Sequence, residues 1–234
     1  INIFNALGAP LPQFGHCPVI LGDDGQKLSK RRGAVSVTAY EEGGYLPEAM
    51  LNYLARLGWS HGDEELFSSE QLVAWFDGTH LNKSPAQWDP AKLLWVNAQY
   101  IKQAENGRLA GLVAQQLVKL GITLDAGTVQ NHLPLVCALF KDRCDTTVAL
   151  AEWAAKFYSN EITPDAAELA QHVSDAVRPA LAMLAEKFGT CAWDKAGISA
   201  AIKEVLSASG LKMPLLAMPV RVLVAGTAQT PSLD

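Results

Sequence analysis

Lys27 and Lys30 stand three residues apart with Ser29 between them, and Arg31 and Arg32 follow directly. Two ammonium groups at that spacing, with a hydroxyl between them, can wrap a polyphosphate. Each lysine is a compact point charge on a flexible stem, able to follow charge as it moves between oxygens. In adenylate-forming chemistry, negative charge builds on the leaving pyrophosphate. A cationic loop that meets that charge only as it develops lowers the barrier without over-stabilising the ground state. Gly25 and Gly33 bracket the segment and would let it open and close. Taken alone, Lys27-Leu28-Ser29-Lys30 reads more readily as a solvated basic turn, so its surroundings must decide.

The rest of the chain narrows the partner. With 234 residues, 49% hydrophobic and 18% charged, it can bury one or two real cores. The net charge of -5 argues against a general, sequence-blind nucleic-acid coat. A focused positive loop in an acidic chain suits a small polyanion such as a nucleotide phosphate. No apolar run approaches the roughly 20 residues of a membrane span. The opening Ile1-Asn2-Ile3-Phe4-Asn5 lacks the basic start and cleavage site of a signal peptide, and reads as the middle of a longer protein. Cys17, Cys137, Cys144 and Cys191 form no C-x-x-C pair, so buried thiols in a reducing cytosol are expected rather than a metal site.

The elements that would position the loop are mostly helical. Val19-Ile20-Leu21 predicts a short strand and Asp23-Asp24-Gly25 a tight turn. Thr38-Ala39-Tyr40-Glu41 fits a capping box that opens a short helix ending at Gly43-Gly44. Pro47 starts a helix over residues 48–57, with Met50, Leu51, Leu54 and Leu57 as its inward face. Ser68 or Ser69 caps residues 70–76, and Asp89-Pro90 opens a helix to about Lys102 in which Trp95 is expected in the core. Beyond it, residues 105–120, 128–141, 145–158, 164–172, 174–188 and 194–208 read as amphipathic helices without β alternation, which predicts a bundle. The fold class expected is therefore mainly α.

Context settles the reading of the loop. Gly22-Asp23-Asp24-Gly25-Gln26-Lys27-Leu28-Ser29-Lys30-Arg31 and Gly33-Ala34-Val35-Ser36-Val37 resemble the signature-loop region of bacterial glutamyl-tRNA synthetases. Gly44-Tyr45-Leu46-Pro47-Glu48-Ala49, Asn52-Tyr53-Leu54 and Leu57-Gly58-Trp59-Ser60-His61-Gly62-Asp63 follow in the family's order and spacing. Lys92-Leu93-Leu94-Trp95-Val96-Asn97 looks like its Lys-Leu-x-Trp-x-Asn segment, and Met218-Pro219-Val220-Arg221-Val222 with Gly226 like its Pro-Leu-Arg-Val block. The similarity is strong over residues 19–102 and looser beyond. Arg32 departs from the His of many relatives, and Met213-Pro214-Leu215-Leu216-Ala217 stands where many have a Gly-Lys pair.

The resemblance implies the C-terminal portion of a class I aminoacyl-tRNA synthetase. Residues 1–38 would be the edge of the catalytic domain with the K-M-S-K-S-like loop, 39–102 a stem-contact region, and 103–234 an all-helical anticodon-binding domain, shortened at its end. Lys27, Leu28, Ser29, Lys30 and Arg31 would form the signature loop. Lys30 would contact ATP, with Lys27 and Ser29 in support. Arg143, Arg178 and Arg221 would be the tRNA-binding arginines, Arg221 first among them. ATP with Mg2+, L-glutamate and tRNA(Glu) would be the partners of a cytoplasmic monomer. The Rossmann half would lie upstream, so this stretch alone would not activate glutamate and would bind no metal. Two other readings stay open: a free-standing, non-catalytic tRNA-binding module, and a helical scaffold that leaves the loop unexplained.

Overall fold

The computed structural model describes residues 1–22, 24–29, 36–159 and 161–230. Asp23 of the predicted turn, and Lys30 and Arg31 of the loop, lie outside these described residues. The fold is mainly α and divides into two units, Ile1–Glu105 with Lys141–Ala149, and Asn106–Phe140 with Leu150–Asp234.

The first unit contains α1 (Asn2–Ala6), β1 (Ile20–Leu21), α2 (Val37–Glu42), α3 (Pro47–Gly58), α4 (Ser69–Trp75), β2 (Ala86–Gln87) and α5 (Pro90–Gln103). It also takes in a 3-10 turn at Lys141–Arg143. β1 and β2 pair in parallel, Ile20 opposite Ala86 and Leu21 opposite Gln87. Local chemistry starts several of these helices where the sequence predicts. The Ser68 hydroxyl accepts from Gln71 N–H while Gln71 reaches back to the Ser68 N–H, completing a capping box. Asp89 accepts from Lys92 N–H and Pro90 fills the first turn, where its missing N–H costs nothing.

Two expectations fail here. α2 is capped by Ser36 rather than Thr38, because Ser36 holds the extended backbone a cap needs and accepts from Thr38 N–H. The inward face of α3 is Ala49, Met50, Asn52 and Tyr53, with Leu46 just before it, while Leu51 and Leu54 are exposed. Asn52 and Tyr53 can turn inward because each finds hydrogen-bond partners there, which cancels the cost of burying a polar group.

The second unit contains α6 (Asn106–Lys119), α7 (Ala126–Asn131), α8 (Leu133–Phe140), the body of α9 (Thr147–Tyr158), α10 (Ala166–His172), α11 (Arg178–Phe188), α12 (Lys195–Ser209) and α13 (Met213–Ala225). Leu109, Val113 and Leu117 of α6 are fully buried, as are Leu133 and Cys137 of α8 and Leu150, Ala151 and Ala154 of α9. A second cluster joins Ala180 and Leu184, Ile202 and Val205, and Leu216 and Val220, from α11, α12 and α13.

The single helix predicted over 128–141 is two, broken at His132 just before Pro134. The helix predicted from 174 starts at Arg178, where Pro179 takes its favoured first-turn position. α13 is absent from the sequence reading, since Pro214 and Pro219 look like breakers. Pro214 sits harmlessly at the helix start and Pro219 is buried within it.

Candidate functional site

The described part of the lysine loop begins as a tight hairpin. Gly25 N–H donates to the Gly22 carbonyl at 3.0 Å, Gly22 N–H to the Gln26 carbonyl at 2.8 Å, and Leu28 N–H to the Ile20 carbonyl at 2.8 Å. Gly25 takes φ +71°, a left-handed conformation that glycine adopts without penalty. Asp24 Oδ1 accepts from Gln26 N–H at 2.9 Å and steadies the turn. Lys27 pairs across from Leu21 and is exposed, while Leu28 and Ser29 are half-buried. The geometry therefore presents the Lys27 ammonium to solvent from a backbone anchored to β1. Lys30 lies outside the described residues, so the structure brings together Lys27, Leu28 and Ser29 of the five loop positions.

A cleft of about 690 Å³ opens beside β1, walled by Val19, Ile20, Leu54, Leu57, Trp59 and Phe76, with His16, Cys17 and Lys83 among its polar edges. Lys27 and Ser29 do not line it. Its mostly apolar wall does not suit a polyphosphate. Cys17 is exposed, unlike the buried Cys137 and Cys144, so the expectation of buried thiols fails at Cys17.

Behind the hairpin is a buried polar frame whose geometry the sequence does not reveal. Asn52 Oδ1 accepts from Phe67 N–H at 3.0 Å and from Tyr100 Oη at 2.7 Å, and its Nδ2 donates to the Glu65 carbonyl at 2.9 Å. Asn97, fully buried, accepts at Oδ1 from Leu46 N–H at 2.8 Å and donates from Nδ2 to the Asp145 carbonyl at 2.6 Å. Tyr53 Oη accepts from Asp89 N–H at 2.6 Å. Burial pushes the Tyr53 and Tyr100 phenols above their ordinary value, which keeps them neutral donors and acceptors. An Asn on an apolar helix face was the available sequence signal for these roles.

Trp95 is not core. It is 40% exposed, and Lys92 Nζ lies 3.9 Å from its ring centroid and 2.6 Å from Glu65 Oε2. The Lys92 hydrogen bond holds the Glu65 carboxyl below its usual range. One ammonium thus satisfies a carboxylate and an indole face together, which holds the indole at the surface.

The three arginines differ. Arg143 is exposed in the 3-10 turn of the first unit. In the second unit, exposed Arg178 already donates from Nε to Asp175 Oδ1 at 3.1 Å. Arg221, on α13, is half-buried, and its Nε is enclosed with no hydrogen-bond partner among the described residues. Near the end of the same helix, Lys156 Nζ donates to the Ala225 carbonyl at 2.5 Å, and Glu168 accepts from Ala228 N–H at 2.6 Å. Burial pushes the Lys156 ammonium below the ordinary lysine value, an effect the Glu168 carboxylate partly opposes.

Residues 96–234, more than half of the chain, match the family model of the anticodon binding domain. The chain belongs to that family. Residues 1–95 match the model of tRNA synthetases class I (E and Q), catalytic domain. Over its whole length the chain is 60% identical to a glutamate–tRNA ligase of Paracidovorax citrulli, 59% to one of Albidiferax ferrireducens and 58% to one of Herminiimonas arsenicoxydans. It spans about half the length of these curated relatives, 48%, 49% and 49% respectively. Among solved structures, a glutamate tRNA ligase from Elizabethkingia meningosepticum in complex with its amino acid aligns with a TM-score of 0.80 at 25% identity, over 99% of this chain and 49% of that one. The glutamate-tRNA synthetase from Elizabethkingia anophelis aligns with a TM-score of 0.79 at 23% identity, again over 99% of this chain and 49% of that one. The resemblance drawn from the loop and its flanking motifs is thus borne out along the entire chain.

Proposed function

We propose that this chain is the signature-loop and tRNA-reading part of a glutamate–tRNA ligase. The observation that carries the reading is its end-to-end similarity to enzymes of that name, with the two family models in the order catalytic, then anticodon-binding. In this reaction a glutamate carboxylate oxygen attacks the α-phosphorus of ATP. The new acyl–phosphate bond makes glutamyl-adenylate, and cleavage of the α–β bridge releases pyrophosphate. A ribose hydroxyl of the tRNA's terminal adenosine then attacks the acyl carbon and displaces AMP.

Lys30 and Lys27 neutralise charge on the departing phosphates, and Ser29 supports them. The exposure of the Lys27 ammonium on an anchored hairpin supports its share of this role. Leu28 and Arg31 complete the loop. Mg2+ enters with the nucleotide phosphates. Among the described residues no group of three or more His, Cys, Asp or Glu side chains is arranged to hold a metal, and no step is assigned to one. The remaining assignments are a catalytic edge over 1–38, a stem-contact region over 39–102 and an anticodon reader over 103–234, with Arg221, Arg178 and Arg143 contacting RNA. The enzyme acts as a cytoplasmic monomer. No helix among the described residues is long and apolar enough to cross a membrane.

The test is glutamate-dependent ATP–pyrophosphate exchange by the complete enzyme. Lys30→Ala should lower it by roughly a hundredfold or more with tRNA affinity little changed. Undiminished exchange would remove the catalytic role and leave a tRNA-binding module.

A further inference from the structure

Two family-like motifs, Gly44-Tyr45-Leu46-Pro47 and Lys92-Leu93-Leu94-Trp95-Val96-Asn97, hold no ligand-facing role in the chemistry above, yet the fold brings them to one point. Gly44 ends the turn after α2, the helix that directly follows the signature loop. Its carbonyl accepts from Thr147 N–H at 3.0 Å and from Asn97 Nδ2 at 3.4 Å. Asn97 Nδ2 also donates to the Asp145 carbonyl at 2.6 Å, and its Oδ1 accepts from Leu46 N–H at 2.8 Å. A Cβ on Gly44 would lie 2.7 Å from Val148 N and 2.8 Å from Thr147 Oγ1, and the residue takes φ +83°. Asn97 is fully buried, and its amide serves the backbone of two separate segments, at Gly44 and Leu46 and at Asp145. The turn after α2 is therefore anchored by residues 145–148, more than a hundred positions later in the chain.

We infer that Gly44 and Asn97 are positioning residues for the loop that meets the departing phosphates. They fasten the turn after α2, the helix that follows the signature loop in the chain, to the start of α9. The inference rests on the reading of that loop as the ATP-contacting element. A segment pinned by a side-chain amide and by a glycine with no room for a Cβ has one seating, and from that base the loop's lysines would meet phosphate. Releasing the tie leaves the lysines chemically intact and lowers the fraction of time they are in place, which slows the step in which pyrophosphate departs.

Asn97→Asp in the complete enzyme separates these functions, since it keeps the acceptor for Leu46 N–H and removes both donated bonds. The kcat of pyrophosphate exchange should fall roughly tenfold, with the KM for ATP within about threefold of wild type. Amide exchange at Gly43, Gly44 and Tyr45 should quicken by roughly tenfold, while residues 106–140 stay protected. Thr147→Pro is a second route: it removes the other donor at the first position of a helix, where proline is tolerated. Faster exchange at residues 43–45 in both variants with an unchanged kcat would overturn the positioning role and leave a structural one. Unchanged amide exchange in both would overturn the tie itself. Failure of the underlying reading shows separately, as full activity in Lys30→Ala, and overturns both.

Discussion

The imidazole of His61 lies flat on the indole of Trp75, with ring centroids 4.3 Å apart and planes 8° from parallel. Trp59 stacks on the same imidazole at 6.0 Å and meets Phe67 and Phe76 edge-on at 5.9 and 5.8 Å. The Trp59-Ser60-His61-Gly62-Asp63 stretch is thus an aromatic clasp between the end of α3 and α4. Stacking of this kind is worth roughly 0.5–1.5 kcal/mol beyond the area buried. A double-mutant cycle on His61→Ala and Trp75→Ala, read by urea unfolding, should return a coupling energy in that range. Strictly additive losses would mean that the two rings are merely neighbours.

Glycines 44 and 25 both adopt left-handed backbone, at φ +83° and +71°, but only Gly44 is crowded. Nothing lies within 4 Å of a Cβ built on Gly25. Gly25→Ala should cost about 1 kcal/mol, from backbone conformation alone. Gly44→Ala adds a backbone collision and should cost about 3 kcal/mol. Equal losses in chemical denaturation would show that residues 147–148 yield freely.

These contrasts mark what a sequence can disclose. The Ser68–Gln71 box and the Asp89-Pro90 start are legible because one side chain and its own backbone decide the outcome. The buried face of α3 is not, because it depends on Asn52 and Tyr53 finding partners at Glu65, Phe67 and Asp89. Trp95 misleads for a similar reason, since Lys92 and Glu65 hold it at the surface. α13 is hidden because Pro214 and Pro219 read as breakers, although Pro214 falls in the first turn, where its missing N–H costs nothing. At the site, the lysine loop is recognisable from residue types and flanks, whereas the Asn97 tie joins residues about fifty positions apart and leaves no local pattern.

The Glu65–Lys92 bond makes stability depend on acidity in a defined direction. Lys92 holds the folded Glu65 carboxyl below its usual range, so the unfolded chain binds a proton more readily. The pair's contribution is present above the ordinary carboxylate pKa and is lost as pH falls through the lower folded value. Wild type should therefore exceed Glu65→Gln in stability at neutral pH, and the difference should vanish in acid. A gap that persists unchanged into acid would assign the loss to packing.

Arg178 and Arg221 should part company when RNA is added. Arg178 is exposed and already paired with Asp175, so as an RNA contact it would supply only general attraction to phosphate. Arg178→Met should weaken tRNA binding slightly and uniformly, and reduce the salt slope by about 1. Arg221 is half-buried with an enclosed Nε that has no partner among the described residues, so an RNA contact would come through the rest of its guanidinium. Arg221→Met keeps most of the apolar stem and should leave the melting temperature close to wild type, while tRNA(Glu) affinity falls by roughly tenfold and discrimination against other tRNAs narrows. Melting curves and binding isotherms on the same samples decide the point: a large drop in melting temperature with unaltered discrimination would make Arg221 part of the bundle's packing and shift the search for RNA contacts elsewhere on the second unit.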